Sequence, residues 1–237
     1  MRKLSSIIVL VVLAVLATAG ISMAALNLEG QSGVFLNTLA YPVAPSKIEV
    51  SSHNVDLDDL GSVTTYNFAT GLRSNIELGY TGITSSVDGV KDQSLFLGKW
   101  QFVKETKSAP ALALWAIHRS LTDGPSSTDY GVSATKIVKA AKRPLVLDLG
   151  VRSTRAIGLG LFGFQNDRDI KLEGTAAYFV TPKFAVGTEF KQQIGGRAWH
   201  DIAFRYAPSG SFNLDFGIAN LNSTLDNQIA LAATWSK

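Results

Sequence analysis

The sequence predicts an all-β fold: a single up-and-down antiparallel transmembrane β-barrel of about twelve strands, behind a cleavable signal peptide. Three observations carry the prediction. From residue 47 onward the chain alternates apolar and polar residues with period two. Short turns alternate with mostly longer loops. The apolar N-terminal leader is too short to span a membrane as a helix.

The leader comes first in the chain. Arg2 and Lys3 form a positive start, residues 7–17 are uninterruptedly apolar, and the stretch ends in Ser22-Met23-Ala24. Small residues at the two positions read by a signal peptidase mark residues 1–24 as a signal peptide. A spanning helix needs ~20 apolar residues. No later stretch approaches ~18 consecutive apolar residues.

Composition removes several functions. There is no cysteine, so disulfides, Cys-ligated metals, a cysteine nucleophile and a lipoprotein anchor are excluded. Charged residues make up 17% and apolar ones 46%, which does not fit a disordered chain. A net charge of +3 leaves no nucleic-acid footprint.

The alternation predicts strands at 47–55, 62–72, 74–86, 93–105, 109–121, 127–139, 143–155, 169–180, 184–194, 198–207, 211–221 and 227–236. The connections at Arg73, 106–108, 140–142, 181–183 and 208–210 are short. Those at 56–61, 87–92, 122–126, 156–168, 195–197 and 222–226 are mostly longer. Short periplasmic turns with longer extracellular loops are the habit of outer-membrane barrels. Seven strands have a charge-free apolar face, as in Leu145, Leu147, Leu149 and Val151, or Phe212, Leu214, Phe216 and Ile218. Strand 109–121 is apolar on both faces, 47–55 is weakly patterned, and Lys136 falls on the wrong face of 127–139.

The polar faces collect the candidate lumen-lining residues Glu77, Lys99, Glu105, Asp148, Arg152, Lys171, Glu173, Glu189, Lys191, Asp201, Arg205 and Asp215. Small residues lie among them, including Ala177, Ala185, Gly187, Ala203, Gly217, Ala230 and Ala232. A barrel interior has limited room, and small residues suit it. A strongly selective pore shows a ring of one sign. Near-balance fits either a pore lining or cross-lumen ion pairs that brace a narrow barrel.

Trp100, Phe102, Tyr178, Phe184, Tyr206, Phe212 and Trp235 gather on the apolar face beside the short turns, as an interfacial girdle does. The predicted strands match the ~9–11 residues that cross a bilayer at a tilt, whereas a mean soluble strand has about 5–6. The apolar face is therefore expected to meet lipid.

Residues 25–46 are expected to form an extension outside the meander, packed in or beneath the lumen, before a barrel at 47–237. Pro42 and Pro45 remove two ladder donors, and Gly30 and Gly33 relax the preceding backbone. At Thr181-Pro182-Lys183 a three-residue loop predicts Val180 opposite Phe184, Tyr178 opposite Val186 and Glu173 opposite Lys191.

Two stretches carry a family resemblance. Gly30-Gln31-Ser32-Gly33-Val34-Phe35-Leu36-Asn37-Thr38-Leu39-Ala40 resembles the Gly-x-x-Gly-Leu-x-Asn-Thr-Pro-x-Ala opening of certain bacterial outer-membrane proteins. These include a barrel family of unknown function and the barrel proteins found near exopolysaccharide genes. Residues 171–183 with 185–189 are similar to the unknown-function family's late hairpin, and Asp226-Asn227-Gln228 also fits. Leu39 replaces the usual Pro, and the chain ends Trp235-Ser236-Lys237 rather than on a terminal aromatic. The resemblance implies an outer-membrane barrel of a Gram-negative-type bacterium and supplies no substrate.

Chemistry is sparse. His53, His118 and His200 lack ligand-like spacing, so neither a metal nor any other cofactor is expected. Ser120 with His118 on one strand face is the nearest approach to a nucleophile and base. Gly158-Leu159-Gly160 with Gly163 reads as a flexible loop rather than a phosphate loop. The expected function is porin-like or channel-like passage of small solutes, without enzymatic activity. The alternatives are a lumen-closed structural or polysaccharide-export accessory, and an outer-membrane lipid hydrolase or acyltransferase. Expected partners are outer-membrane lipid, the barrel-assembly machinery and small solutes, with no nucleic acid.

Overall fold

The computed structural model describes residues 25–73, 75–194, 198–220 and 228–237. The expected signal peptide, the loops at 195–197 and 222–226, and Asp226-Asn227 of the family-like motif lie outside the described residues. A two-stranded sheet comes first, β1 (Ala25–Leu26) and β2 (Ser32–Gly33). Twelve strands follow: β3 (Ile48–Asp56), β4 (Ser62–Arg73), β5 (Ile76–Ser85), β6 (Gln93–Val103), β7 (Ala111–Leu121), β8 (Ser126–Ala140), β9 (Arg143–Ala156), β10 (Phe164–Thr181), β11 (Phe184–Gln192), β12 (Ala198–Ser209), β13 (Phe212–Asn220) and β14 (Gln228–Ser236).

The twelve form one closed barrel in which every strand pairs antiparallel with its sequence neighbours. β14 closes the ring on β3, with Trp235 opposite Val50 and Ala232 opposite His53. Closure leaves no free sheet edge, so every strand can satisfy its backbone polar groups within the ring. No helix among the described residues is long and apolar enough to cross a membrane.

Alternate residues point inward and are buried, as in the strict alternation of β3 and β6. Tyr66, Phe96, Tyr130, Leu149, Ile202 and Leu231 point outward and are exposed. The outward-facing charges Asp56, Lys136, Arg143, Arg155 and Arg168 all lie toward strand ends, where charge costs least in a bilayer. Lys136 accordingly bends to the short-turn end, where its ammonium donates to Lys107 O and Ala109 O, both at 3.2 Å. Strand 109–121 has a definite inside after all: Ala111, Ala113, Trp115, Ile117 and Arg119 are buried, and Leu114 is exposed.

Three local expectations are corrected. β6 ends at Val103 after a register shift between Gln101 and Val103, so the turn runs over 104–110 rather than 106–108. β10 starts at Phe164, so the 156–168 loop contracts to 157–163. That loop is closed by its own hydrogen bonds, with Ile157 N donating to Gly163 O at 3.0 Å, and Leu159 is buried beneath it. At 181–183 the paired core is Tyr178–Val186, Ala176–Thr188 and Glu173–Lys191, but a bulge puts Thr181, not Val180, opposite Phe184. The bulge leaves Pro182 and Lys183 as a two-residue turn.

Candidate functional site

The ring encloses the N-terminal segment. Residues 25–40 are all buried, and β1 lies against β3 inside the wall. Asn27 organises the first turn: its Oδ1 accepts from Glu29 N and Gln31 N, both at 3.0 Å. The two motif glycines are needed for space. A Cβ on Gly30, whose φ is +86°, would lie 2.0 Å from Thr81 Oγ1, and one on Gly33 would lie 2.1 Å from Asn37 O. Asn37 then ties the segment to the wall, its amide donating to Gly174 O at 2.8 Å and Phe190 O at 3.0 Å.

Inward charges grip this segment at three levels. Toward the long loops, Glu29 meets Arg119 and Lys191, with Arg152 at 3.8 Å. Arg119 also holds Asp129 at 3.0 Å and donates to Leu159 O at 3.2 Å, which links the segment to the 157–163 loop. Burial alone would raise the Glu29 pKa, but Lys191, Arg119 and Arg152 outweigh it and hold the carboxyl well below the usual range.

At mid-height Glu189 accepts three consecutive backbone N–H groups, from Phe35 and Leu36 at 2.8 Å and Asn37 at 3.0 Å. Successive N–H groups converging on one anion make a nest. Nearer the short turns, opposite Ala185, Arg205 pairs with Asp215 at 2.7 Å and reaches Val34 O at 3.3 Å.

Near the short turns Glu77 accepts from Ser32 N at 3.0 Å and Val43 N at 2.8 Å, and it pairs with Lys99 at 3.4 Å. Ala40 N donates to Thr135 Oγ1 at 2.6 Å, and that hydroxyl donates to Asp148. Tyr41 donates its phenol hydrogen to Glu105. Burial, together with that hydrogen bond, pushes the Tyr41 pKa up.

The small inward residues make room for apolar side chains of the segment. Phe35, Leu36 and Leu39 cluster with Ala177, Ala203, Ala230 and Ala232, and a Cβ on Gly217 would lie 3.6 Å from the Phe35 ring. The cavity left beside Val34, Phe35, Leu39, Val146 and Phe179 is about 30 Å³, room for one or two waters.

Among the expected lumen residues, Glu77, Lys99, Asp148, Arg152, Glu173, Glu189, Lys191, Asp201 and Asp215 are buried inside. Glu77 meets Lys99, Arg205 meets Asp215, and Glu173 meets Lys191 at 3.6 Å. Asp201 stands opposite another acid, Glu189. Lys171 sits higher, at the long-loop mouth, paired with Asp169 at 3.0 Å. Glu105 is corrected from a strand position to the 104–110 turn, where it accepts from Ile137 N at 2.9 Å and meets Lys136 at 3.3 Å.

Of the expected girdle, Trp100, Phe102 and Tyr206 are exposed, while Tyr178, Phe184 and Trp235 are half-buried. Phe212 is only 7% exposed. It keeps the outward parity of Leu214 and pairs with Trp235, but it is covered beside the β12 irregularity between Tyr206 and Ser209.

Sequence reasoning missed Glu29, Glu49, His53, Arg119 and Asp129, all buried. Arg119 and Asp129 were findable by extending the inward parity along β7 and β8. Glu29 lies in an irregular turn and has no periodic signal. Ser120 and His118 turn outward, with Ser120 Oγ 3.4 Å from His118 Nε2 and His118 Nδ1 2.9 Å from Thr128 Oγ1. No three metal-ligating side chains cluster among the described residues.

Residues 114–230 match DUF3034, a protein family of unknown function. Comparison with curated proteins gives no match. Among solved structures, the KdgM porin is 11% identical with a TM-score of 0.55, covering 80% of this chain and 98% of the porin. The COG4313 outer membrane channel from Pseudomonas putida F1 is 11% identical with a TM-score of 0.53, covering 84% and 97%. The NanC porin is 10% identical with a TM-score of 0.53, covering 80% and 98%. The protein thus has the fold of outer-membrane porins and channels.

Proposed function

We propose that this is an outer-membrane channel protein of a Gram-negative-type bacterium, held shut by its own N-terminal segment. Small solutes would pass when residues 25–43 leave the lumen. The supporting observation is the burial of residues 25–40 inside a ring whose inward charges bind their backbone and side chains. The wall charges have two uses: they hold the segment when the lumen is closed and line a wet passage when it is open. Lipid surrounds the ring, and the barrel-assembly machinery would insert it.

The extent of the network favours a second reading, in which closure is permanent and the barrel serves as an envelope or polysaccharide-export accessory. Planar-bilayer conductance separates the two. Under the channel reading the full chain conducts little, and deletion of residues 27–40 gives stable open channels. A deletion variant that keeps its barrel and still passes no current would sink the channel reading in favour of the accessory.

A further inference from the structure

The outward surface carries a second constructed feature, distant in role from the lumen. A groove of about 650 Å³ runs across β5 to β9. Its floor is Gly98 and Ala116, and Trp100, Leu114, Tyr130 and Val151 stand along it. Leu78, Gly98, Ala116, Tyr130 and Ser153 are consecutive register partners, so they form one row perpendicular to the strands. Four interstrand spacings make that row about 19 Å long. The strands tilt by roughly 35–45°, so the row climbs from Leu78, near the short-turn end, to Ser153, near the long-loop end.

An arginine caps the upper end. The Arg168 guanidinium lies 5.1 Å over the Tyr130 ring and donates to Thr128 O at 2.7 Å and Ser153 O at 3.4 Å. Two carbonyls and an aromatic face fix its plane and leave further N–H donors available. Arg155 is the next outward residue on β9 after Ser153, and its Nε donates to Gln165 O at 2.8 Å. The nearby acid Asp169 is paired with Lys171 at 3.0 Å. Two outward arginines therefore stand at the boundary of an apolar belt, directly above an apolar groove.

We propose that this groove and its arginines bind one phosphorylated, acylated lipid of the outer leaflet, with an acyl chain on Gly98 and Ala116 and the phosphate at Arg168 and Arg155. Charge complementarity chooses the occupant. A planar guanidinium matches phosphate oxygens bidentately, and the climbing apolar row matches the attached chain. The proposal rests on the outer-membrane placement above, with the long loops outside.

Native mass spectrometry of the full chain in detergent tests it, with bis-phosphorylated lipid A and its dephosphorylated form as probes. The wild type should retain the phosphorylated lipid at least ten-fold better. Arg168→Ala with Arg155→Ala should abolish that preference. Gly98→Leu should weaken retention of both lipids, because the backbone leaves room for a Cβ there, which meets only Leu78 Cδ2 at 3.6 Å, and the rest of the side chain extends over the groove floor. Equal retention of the two lipids by wild type, unchanged preference in the double-arginine variant, or full displacement by millimolar inorganic phosphate would each overturn the site. Heat-modifiable gel mobility is read on the same samples. Identical migration before and after boiling would overturn the barrel reading itself, whereas intact heat-modifiability with equal lipid retention overturns the lipid site alone.

Discussion

In the barrel wall, each strand's N–H and C=O groups meet those of two neighbouring strands, and the side chains only choose which face is in. In residues 25–43 the balance is reversed. The short β1–β2 pairing is supplemented by carboxylates, amides and ammonium groups reaching in from the wall. Glu189 collects three N–H groups, Glu77 two, and Lys191 and Lys99 donate to Leu36 O and Ser32 O at 2.8 Å each. A segment held through side chains can be released by single substitutions that leave the ladder untouched. The wall cannot.

The largest test of that contrast is Glu29→Ala. It leaves Arg119 and Lys191 with only Asp129 and Glu173, respectively, and takes the carboxylate from Arg152; removing one partner of a buried ion pair costs roughly 3–5 kcal/mol. The ring should keep its heat-modifiable mobility while residues 25–43 become protease-accessible and conductance rises. Continued protection of the segment would show that its apolar packing on Ala177, Ala203 and Ala232 is sufficient. Glu189→Gln should act in the same direction with a smaller effect. Its amide oxygen can replace Oε2 and keep the bonds from Phe35 and Leu36 as neutral ones, while its NH2 faces the Asn37 N–H and that bond is lost; a hydrogen bond to a charged group is worth about 1.5–3 kcal/mol and a neutral one about 1. Conductance of this variant should lie between those of wild type and Glu29→Ala.

Acid should separate the regions more gently. The folded-state pKa of Glu29 is depressed below its ordinary 4.5. Its contribution to holding the segment is therefore fully present above about pH 4.5. It diminishes as pH falls below that value and is lost only once the depressed folded-state pKa is passed. Protease protection of residues 25–43 should be equal at pH 7 and pH 5 and should decline only in stronger acid. Loss of protection already at pH 5 would mean that another group controls release. The smallest effect is expected from Ser120→Ala. The outward-facing Ser120–His118–Thr128 chain should be catalytically silent, so neither this variant nor the wild type should release fatty acid from phospholipid vesicles. Hydrolysis by the wild type that the substitution abolishes would make the outer face an active site.

The contrast also divides what could be read in advance. Strand existence, parity and the interior placement of most lumen charges follow from period two, because the outward face is apolar and carries no charge at mid-strand. Glu105 departed from the expected pattern because a register shift in β6 changed the count by a residue, and Phe212 is covered beside the irregularity in β12. A bulge inserts a residue without altering the apolar sequence around it, so periodicity does not reveal it.

The amino-acid sequence by itself determined the ring: twelve alternating segments, short turns on one side, longer loops on the other, and charges turned inward. Only the tertiary structure decided what those charges are for. Glu29 meets Arg119 and Lys191 across 90 and 162 residues of chain, respectively. Glu189 meets 35–37 across about 150 residues. Local alternation reports which face a side chain occupies, because the outside and the lumen of the ring differ at every position along a strand. It carries no information about which distant irregular segment fills the lumen, because that choice depends on shape and hydrogen-bond geometry inside the closed ring.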